Sequence, residues 1–342
     1  MNGKMNSEAN NEANSTANGE SYDVVVLGLN VVDVLTEVPA VVTPDTKHEV
    51  EKILVQGGGP ASTASCQIAS LGWRTAFVAR HGRNIISAIS EAEFARCGVL
   101  PDLFLRDDPG AQPAVAIVEV DHARQQRTVF FSSSGSPAIT PSEVPVGAIR
   151  NARALMVAVL SDGEAAAARA ALLAAQGTPC RSVLDLEAGD PAALREILSL
   201  GTDAILPLAA ARELTGASTP DGALRGLAQW TRAQLLVTDG ANGSWALDTE
   251  KNPAGEILHQ PAFRVAVVDT TGCGDCYHAA YLSALLCGWP LPLRMEFASW
   301  TAAYVAEALG GRTNLPTRPA LRARDQSMLT PALREKLADF LK

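Results

Sequence analysis

A mostly parallel α/β sheet flanked by helices is the fold class predicted for this chain, and three observations predict it. Apolar, often β-branched runs recur along the sequence, helical stretches lie between them, and Gly or Pro marks many junctions. Strands separated by helices of this length form parallel sheets with helices on both faces. The first run, VVVLGLNVVDVL after Asp23, is continuous enough for a strand buried on both faces. Strand-like stretches at Glu49–Val55, Ala114–Val120 and Arg127–Phe131 predict a small sheet appended to the main body. Ser62–Leu71 reads as a helix stopped at Gly72, and Arg74–Ala79 as a strand. Ala154–Leu160 is a strand, followed by an Ala-rich helix over Gly163–Gln176 that Gly177 stops. Ser182–Leu186, Ala204–Leu206 and Gln234–Thr238 complete the strands; Pro191–Leu198 and Asp221–Thr231 are helices.

Composition narrows the function classes. Lys and Arg number 28 against 37 Asp and Glu, a net charge of −9, in a chain of 342 residues with 47% hydrophobic content. An acidic chain is a poor general partner for nucleic acid or an anionic membrane. Aromatic content of 5% disfavours a base-stacking platform. Six cysteines do not make a disulfide framework, and residues 1–21 lack an apolar signal stretch, so a reducing, cytoplasmic setting is expected. Cys276–Leu293 carries no Asp, Glu, Lys or Arg, but Gly288, Pro290 and Pro292 confine its helix to less than the roughly 20 residues a bilayer needs. It reads as a buried helix.

The chemistry concentrates in Val267–Ala280, VVDTTGCGDCYHAA. An apolar strand runs into Asp269-Thr270-Thr271-Gly272-Cys273-Gly274-Asp275, and a helix follows. Two glycines let backbone amides approach a ligand, and a helix N-terminus offers unpaired N–H donors with partial positive charge. Asp275 beside a bound anion suits a general base that takes a proton from a hydroxyl attacking phosphorus. Gly272, Cys273 and Gly274 would supply donors to the developing charge. The same residues also fit a tight strand-to-helix turn in which Asp275 is merely a cap.

The whole chain resembles the ribokinase/PfkB carbohydrate kinase family. DTTGCGD is similar to the family's DTxGAGD signature; Gly28 and Asp33 (GLNVVD) resemble its opening strand; Gly57-Gly58-Gly59-Pro60-Ala61-Ser62 resembles its GGxxxN element; Val237–Gly243 (VTDGANG) resembles its VTxGxxG nucleotide loop. Four motifs in order over residues 22–320 are far more specific than any one of them. The resemblance implies a ribokinase-like fold with a β-sheet lid from about residues 34–56 and 112–132 and a kinase domain over 22–325; residues 1–21, rich in Asn, Ser and Glu, read as a disordered tail and 326–342 as a C-terminal helix. It implies Asp275 as catalytic base and Gly272, Cys273 and Gly274 as anion hole. Asp33, Gly57, Gly58 and Ser62 would contact a sugar, and Thr238, Gly240 and Gly243 would contact ATP. Asp269 and Thr271 fall where many members hold a monovalent cation. The implied cofactors are ATP and Mg2+, with K+ at that last position; the implied partners are a sugar and, through exposed lid edges, a second copy of the chain.

Departures matter as much. Ser62 replaces the family's Asn. The NxxE element linked to magnesium would fall on Leu208–Ala211 (LAAA), leaving magnesium to ATP, water or other carboxylates, with Glu213 nearby in sequence. The GxD element reads His81-Gly82-Arg83-Asn84, bringing in Arg80 and Arg83, which a solvated surface would also explain. Loss of NxxE is shared with ketohexokinase-like members. The GGGPASTA run, HQPAF before the signature and Gly310-Gly311-Arg312 resemble the sulfofructose kinase branch. Lys47 stands before Gly57 at the spacing of a lysine facing the sulfonate there, and equally reads as a surface lid residue. A ketose or sulfofructose-like sugar is the implied substrate; a nucleoside kinase or a non-catalytic sugar- or nucleotide-binding module are the alternatives. Cys273 and Cys276 form a CxxC whose first thiol, at a helix start, is expected to have a lowered pKa and react with alkylating agents. His259 and His278 read as structural, Trp289 and Trp300 as core or a helix interface, and Gly310–Arg312 as a helix cap or a neighbour of the nucleotide.

Overall fold

The computed structural model describes residues 21–39, 41–121, 126–249 and 255–342. The expected tail, residues 1–20 of it, lies outside them. The opening apolar run is not one strand but two: β1 (Val24–Leu27) and β2 (Val31–Glu37) belong to different sheets. The chain leaves the first sheet at Gly28, where a Cβ would stand 2.6 Å from the Ala61 Cβ and 2.9 Å from the Ala158 carbonyl oxygen. Only glycine allows that approach, so a pattern that is uniform in hydropathy is cut by packing.

β3 (Ile53–Gly58) leads into α1 (Pro60–Ser70), β4 (Thr75–Arg80), α2 (Ile85–Cys97), β5 (Phe104–Leu105) and the hairpin β6 (Ala114–Asp121) and β7 (Gln126–Ser132). Then come α3 (Val146–Asn151), β8 (Ala154–Val159), α4 (Asp162–Ala175), β9 (Arg181–Leu186), α5 (Pro191–Leu200) and β10 (Asp203–Pro207). They continue into α6 (Leu208–Thr215), α7 (Pro220–Leu227), β11 (Gln234–Thr238), β12 (Ser244–Asp248) and β13 (Glu256–Gln260). Four helices close the chain: α8 (Cys273–Leu286), α9 (Leu291–Val305), α10 (Arg318–Ala323) and α11 (Pro331–Phe340). Their ends follow local chemistry. Asn84 caps α2 by accepting from the Ser87 amide at 2.9 Å, and α2 ends at left-handed Gly98. Ser161 and Glu164 form a reciprocal capping box on α4.

The large sheet runs β13-β12-β11-β10-β9-β8-β1-β4-β5, parallel throughout except for antiparallel β12 and β13. The small sheet runs β3-β2-β6-β7, with β2 and β6 parallel. One hydrophobic layer packs α1, α8, α9 and α11 on one face of the large sheet; the other packs α3 to α7 on the opposite face. Trp289 and Trp300 are in the first layer, where Trp289 meets Phe297 and Phe340 edge-on. The helix expected over Asp221–Thr231 stops at Leu227. Among the described residues no helix is long and apolar enough to cross a membrane.

Candidate active site

The signature turn opens α8, but the apolar strand expected to run into it is absent: β13 ends at Gln260 and residues 261–272 are irregular. Gly272 has φ 77°, in the left-handed region, and α8 begins at Cys273. Asp269 holds the turn: its Oδ1 accepts from the Thr271 amide and hydroxyl, both at 2.9 Å, and its Oδ2 accepts from the Gly310 amide at 2.9 Å. Gly311 backs onto Gly272, so that a Cβ on Gly272 would fall 2.5 Å from the Gly311 Cα. The Gln67 side-chain amide on α1 donates to the Gly311 carbonyl at 3.1 Å. The Cys273 amide is occupied by the Thr270 carbonyl at 3.2 Å, whereas those of Gly272 and Gly274 have no acceptor among the described residues. Gly274 faces open space.

The Asp275 carboxyl makes no hydrogen bond among the described residues. Burial first, then the charges of Asp185 and Glu187, push its carboxyl well above the usual carboxylate range. Asp185, the next-to-last residue of β9, lies in the core, 1% exposed, and both its oxygens lack a hydrogen-bond partner. His278, one turn into α8, lies 3.5 Å from Asp185 Oδ1; its Nδ1 is 2.8 Å from the Gly274 carbonyl oxygen and its Nε2 3.0 Å from that of Ile205. His278 therefore fixes the first turn of α8 to β9 and β10. Leu208–Ala211, which stands in the place of NxxE, is the apolar start of α6, and Glu213 is exposed.

Asp33 lies across the cleft on β2, buried against Gly58, where any Cβ would collide with its carboxylate. Burial raises its pKa to about 6, against the charges of Arg312 and Arg127. Arg312 is the residue that sequence reasoning missed. It is not part of a helix cap but wholly buried, 0% exposed, with its guanidinium donating to the Ser62 hydroxyl and to the Gly58 carbonyl at 3.3 Å. A Cβ on Gly57 would collide with it. Ser62 in turn donates to Asn30 Oδ1 at 3.2 Å, so its hydroxyl is engaged within the protein. The only signal for Arg312 was its adjacency to two glycines.

His81 and Arg80 are not solvated. His81 is 1% exposed between Asn30 and Ser90, and burial lowers its pKa to about 4. Arg80 binds both oxygens of Glu143, at 2.6 and 2.7 Å. Arg83 and Lys47 are exposed, the latter on the loop between β2 and β3. Cys273 also reverses its expectation. Burial, with Asp269 and Asp275 beside it, pushes the thiol up to about 12, so the nearby acids and lost hydration outweigh the helix start. Both Cys273 and Cys276 are free, and Cys276 is buried.

Thr238 ends β11, and Gly240 and Gly243 frame the turn to β12. Gly243 has φ 91° and packs against the backbone of Gln260 and Ala262. Tyr277 of α8 donates to Ser244 at 2.8 Å, which ties this loop to the signature helix. His259 stacks on Trp245 with ring centroids 4.4 Å apart. The C-terminal ends of the parallel strands thus gather the loop, the turn and Asp185, where ligands of open α/β sheets bind.

Magnesium usually takes one or two carboxylates and completes its shell with water and phosphate. Among the described residues no group of three or more His, Cys, Asp or Glu forms a metal cluster. The unpartnered Asp185 carboxylate, with Glu187 exposed two residues on, fits that sparse requirement.

Known proteins resemble this chain in sequence and in fold. A 5-dehydro-2-deoxygluconokinase of Shouchella clausii is 24% identical over 326 residues, covering 89% of this chain and 96% of that protein. Fructokinase-2 of Zea mays is 28% identical over 245 residues, covering 66% and 70%. The structure of Arabidopsis thaliana ribokinase complexed with ribose and ATP superposes with a TM-score of 0.72 at 19% identity, over 94% of this chain and 99% of that one. Residues 21–318 match the pfkB family carbohydrate kinase, and the chain belongs to that family of phosphotransferases.

Proposed function

We propose that the chain transfers the γ-phosphoryl group of ATP to a hydroxyl of a sugar, a ketose or a sulfofructose-like one. The observation that carries this reading is Asp275, a carboxyl pushed up in pKa on the first turn of a helix whose Gly272 and Gly274 amides are open. A raised carboxyl is the better proton acceptor near neutral pH. Asp33, against Gly58, orients the sugar, with Gly57 beside it; Ser62 and Arg312 support that turn from behind. Thr238, Gly240 and Gly243 take the nucleotide. Asp185 and Glu187 are the residues that would hold magnesium, which when bound neutralises phosphate charge. A monovalent cation at Asp269 and Thr271 would meet a carboxylate that already accepts three hydrogen bonds. On the lid's other face Val55, Ile117 and Phe130 form one exposed apolar row, which supports a lid-mediated homodimer.

The test is ADP release with ATP and magnesium across ketoses, sulfonated ketoses, ribose and nucleosides. Turnover with a ketose or sulfonated ketose supports the proposal. Turnover with nucleosides alone assigns a nucleoside kinase, and binding without turnover on any acceptor assigns a sensing module.

Asp33 adds a pH dependence. A carboxylate accepts sugar hydroxyl protons only when ionised, and a pKa of about 6 leaves it mostly protonated below that pH. The sugar KM is therefore expected to rise as pH falls from 7 to 5, about tenfold per unit below the pKa. Measuring KM for the preferred sugar against pH checks this; a KM flat across that interval would separate Asp33 from sugar binding.

A further inference from the structure

Among the described residues Arg312 is the largest side chain with no solvent exposure, and a guanidinium keeps its charge wherever it is buried. Such a charge is costly to hold away from water unless partners replace the water. Arg312 forms no ion pair among the described residues. Its donors meet neutral groups, the Gly58 carbonyl at 3.3 Å and the hydroxyls of Ser62 and Thr63, and its Nη1 meets none. The centre of the Phe94 ring lies 5.5 Å from its Cζ. A cation kept with so few local partners must serve a group farther off.

Two glycines identify that group. A Cβ on Gly57 would run into the Arg312 guanidinium, and a Cβ on Gly58 would run into the Asp33 carboxylate, so cation and acid flank the same two-residue turn. Glu93, the other acid near Arg312, is already held by Arg96 at 2.9 and 3.0 Å and by the Gly57 amide at 3.4 Å. Arg96 also donates to the Arg312 carbonyl at 3.3 Å, so α2 fixes the segment after α9 against the turn. The Asp33 carboxylate has no hydrogen-bond donor among the described residues. Three charges face it: Arg312 behind the turn, Arg127 on β7 and Asp269 on the signature turn. Arg127 is exposed and screened by water, whereas Arg312 is dry and acts at lower dielectric.

Resting on the kinase reading above, we infer that Arg312 is a positioning residue that acts on the sugar through Asp33: its fixed charge keeps that carboxylate ionised in a dry pocket while its fork holds the Gly57–Gly58 turn against it. Asp33 can then accept protons from sugar hydroxyls at neutral pH. With an uncharged residue at position 312, burial and Asp269 would act against Arg127 alone, and the acid would take up a proton at a higher pH.

The test measures the sugar KM of wild type, Arg312→Met and Arg312→Gln from pH 5 to 9, with the ketose or sulfonated ketose that wild type turns over fastest, each variant first checked for folding by circular dichroism. Wild-type KM is expected to rise below pH about 6. In both variants that rise should move up by about one pH unit or more, so that the ratio of KM at pH 6 to KM at pH 9 grows at least about fivefold. The pH profile of kcat at saturating sugar should stay where it is in wild type, and adding Asp33→Asn to either variant should abolish the displacement in KM. Calorimetric sugar affinity without ATP should follow KM. A residue that merely props the turn would raise KM equally at every pH. That pattern overturns the assignment, as does a displacement that survives Asp33→Asn, or failure of both variants to fold, which would make Arg312 purely structural. Failure of the kinase reading looks different, as no acceptor would then release ADP from wild type.

Discussion

Replacing Asp275 with Asn is expected to abolish useful turnover, lowering kcat by about 10²- to 10⁴-fold, the usual contribution of a positioned general base, while ATP still binds. Asparagine has nearly the same shape and leaves α8 intact, but it cannot accept the hydroxyl proton. The same change should not destabilise the protein. The folded-state pKa of Asp275 lies well above that of an unfolded chain, so ionising it at neutral pH works against folding. Stability is lost as pH rises through the interval between the two values, and an uncharged side chain beside Asp185 and Glu187 avoids that loss. A thermal melt at pH 7 should show Asp275→Asn at least as stable as wild type, and calorimetry should show ATP affinity within a few-fold. Near-native kcat would remove Asp275 from the mechanism; a collapsed melting temperature would make it a structural residue.

Gly272→Ala is expected to be nearly as damaging by a different route. At φ 77° an L residue is strained by about 1–2 kcal/mol, and the new methyl would lie 2.5 Å from the Gly311 Cα and 3.2 Å from its carbonyl oxygen. Both obstacles are backbone, so the turn must move, and the open amides move with it. Loss of one well-placed donor costs about 10²- to 10³-fold in kcat, and a drop of that size is expected here together with a lowered melting temperature. Gly274→Ala is the control. Nothing lies within 4 Å of its Cβ position, so that variant should melt like wild type and act only on ligands. Steady-state kinetics and melts on the two variants check the contrast; equal stability of both would contradict the close packing of Gly272 on Gly311.

The two variants also mark what was readable without coordinates. The turn itself was legible because Gly-x-Gly followed by Asp opens a helix, whereas the apolar strand expected to lead into it is absent: residues 261–272 are irregular and Val267 is exposed. The parallel body was legible for the same kind of reason, since buried strands and amphipathic helices differ in period. The break at Gly28 was not, because hydropathy runs unbroken through residues 24–35 and only the contact with Ala61 and Ala158 forces the chain out. β12 and β13 escaped because they are short and their boundary signals resemble a loop. Arg312 and His81 escaped because a polar residue reads as a cap or as solvated until its long-range partners are known, and their partners Ser62, Gly58 and Asn30 lie far away in sequence. Cys273 failed for a physical reason. A helix terminus lowers a thiol pKa only where hydration persists, and there burial and two carboxylates prevail.

The central claim, phosphoryl transfer to a sugar hydroxyl with Asp275 as base, is tested most directly by following the phosphorus. ATP labelled in its γ-phosphate is incubated with the protein, magnesium and the preferred sugar. The label is predicted to appear as a sugar phosphate monoester, in step with ADP, and only with Asp275 in place. Label appearing as inorganic phosphate at the same rate with and without sugar, or reaching the sugar unchanged in Asp275→Asn, would contradict the account.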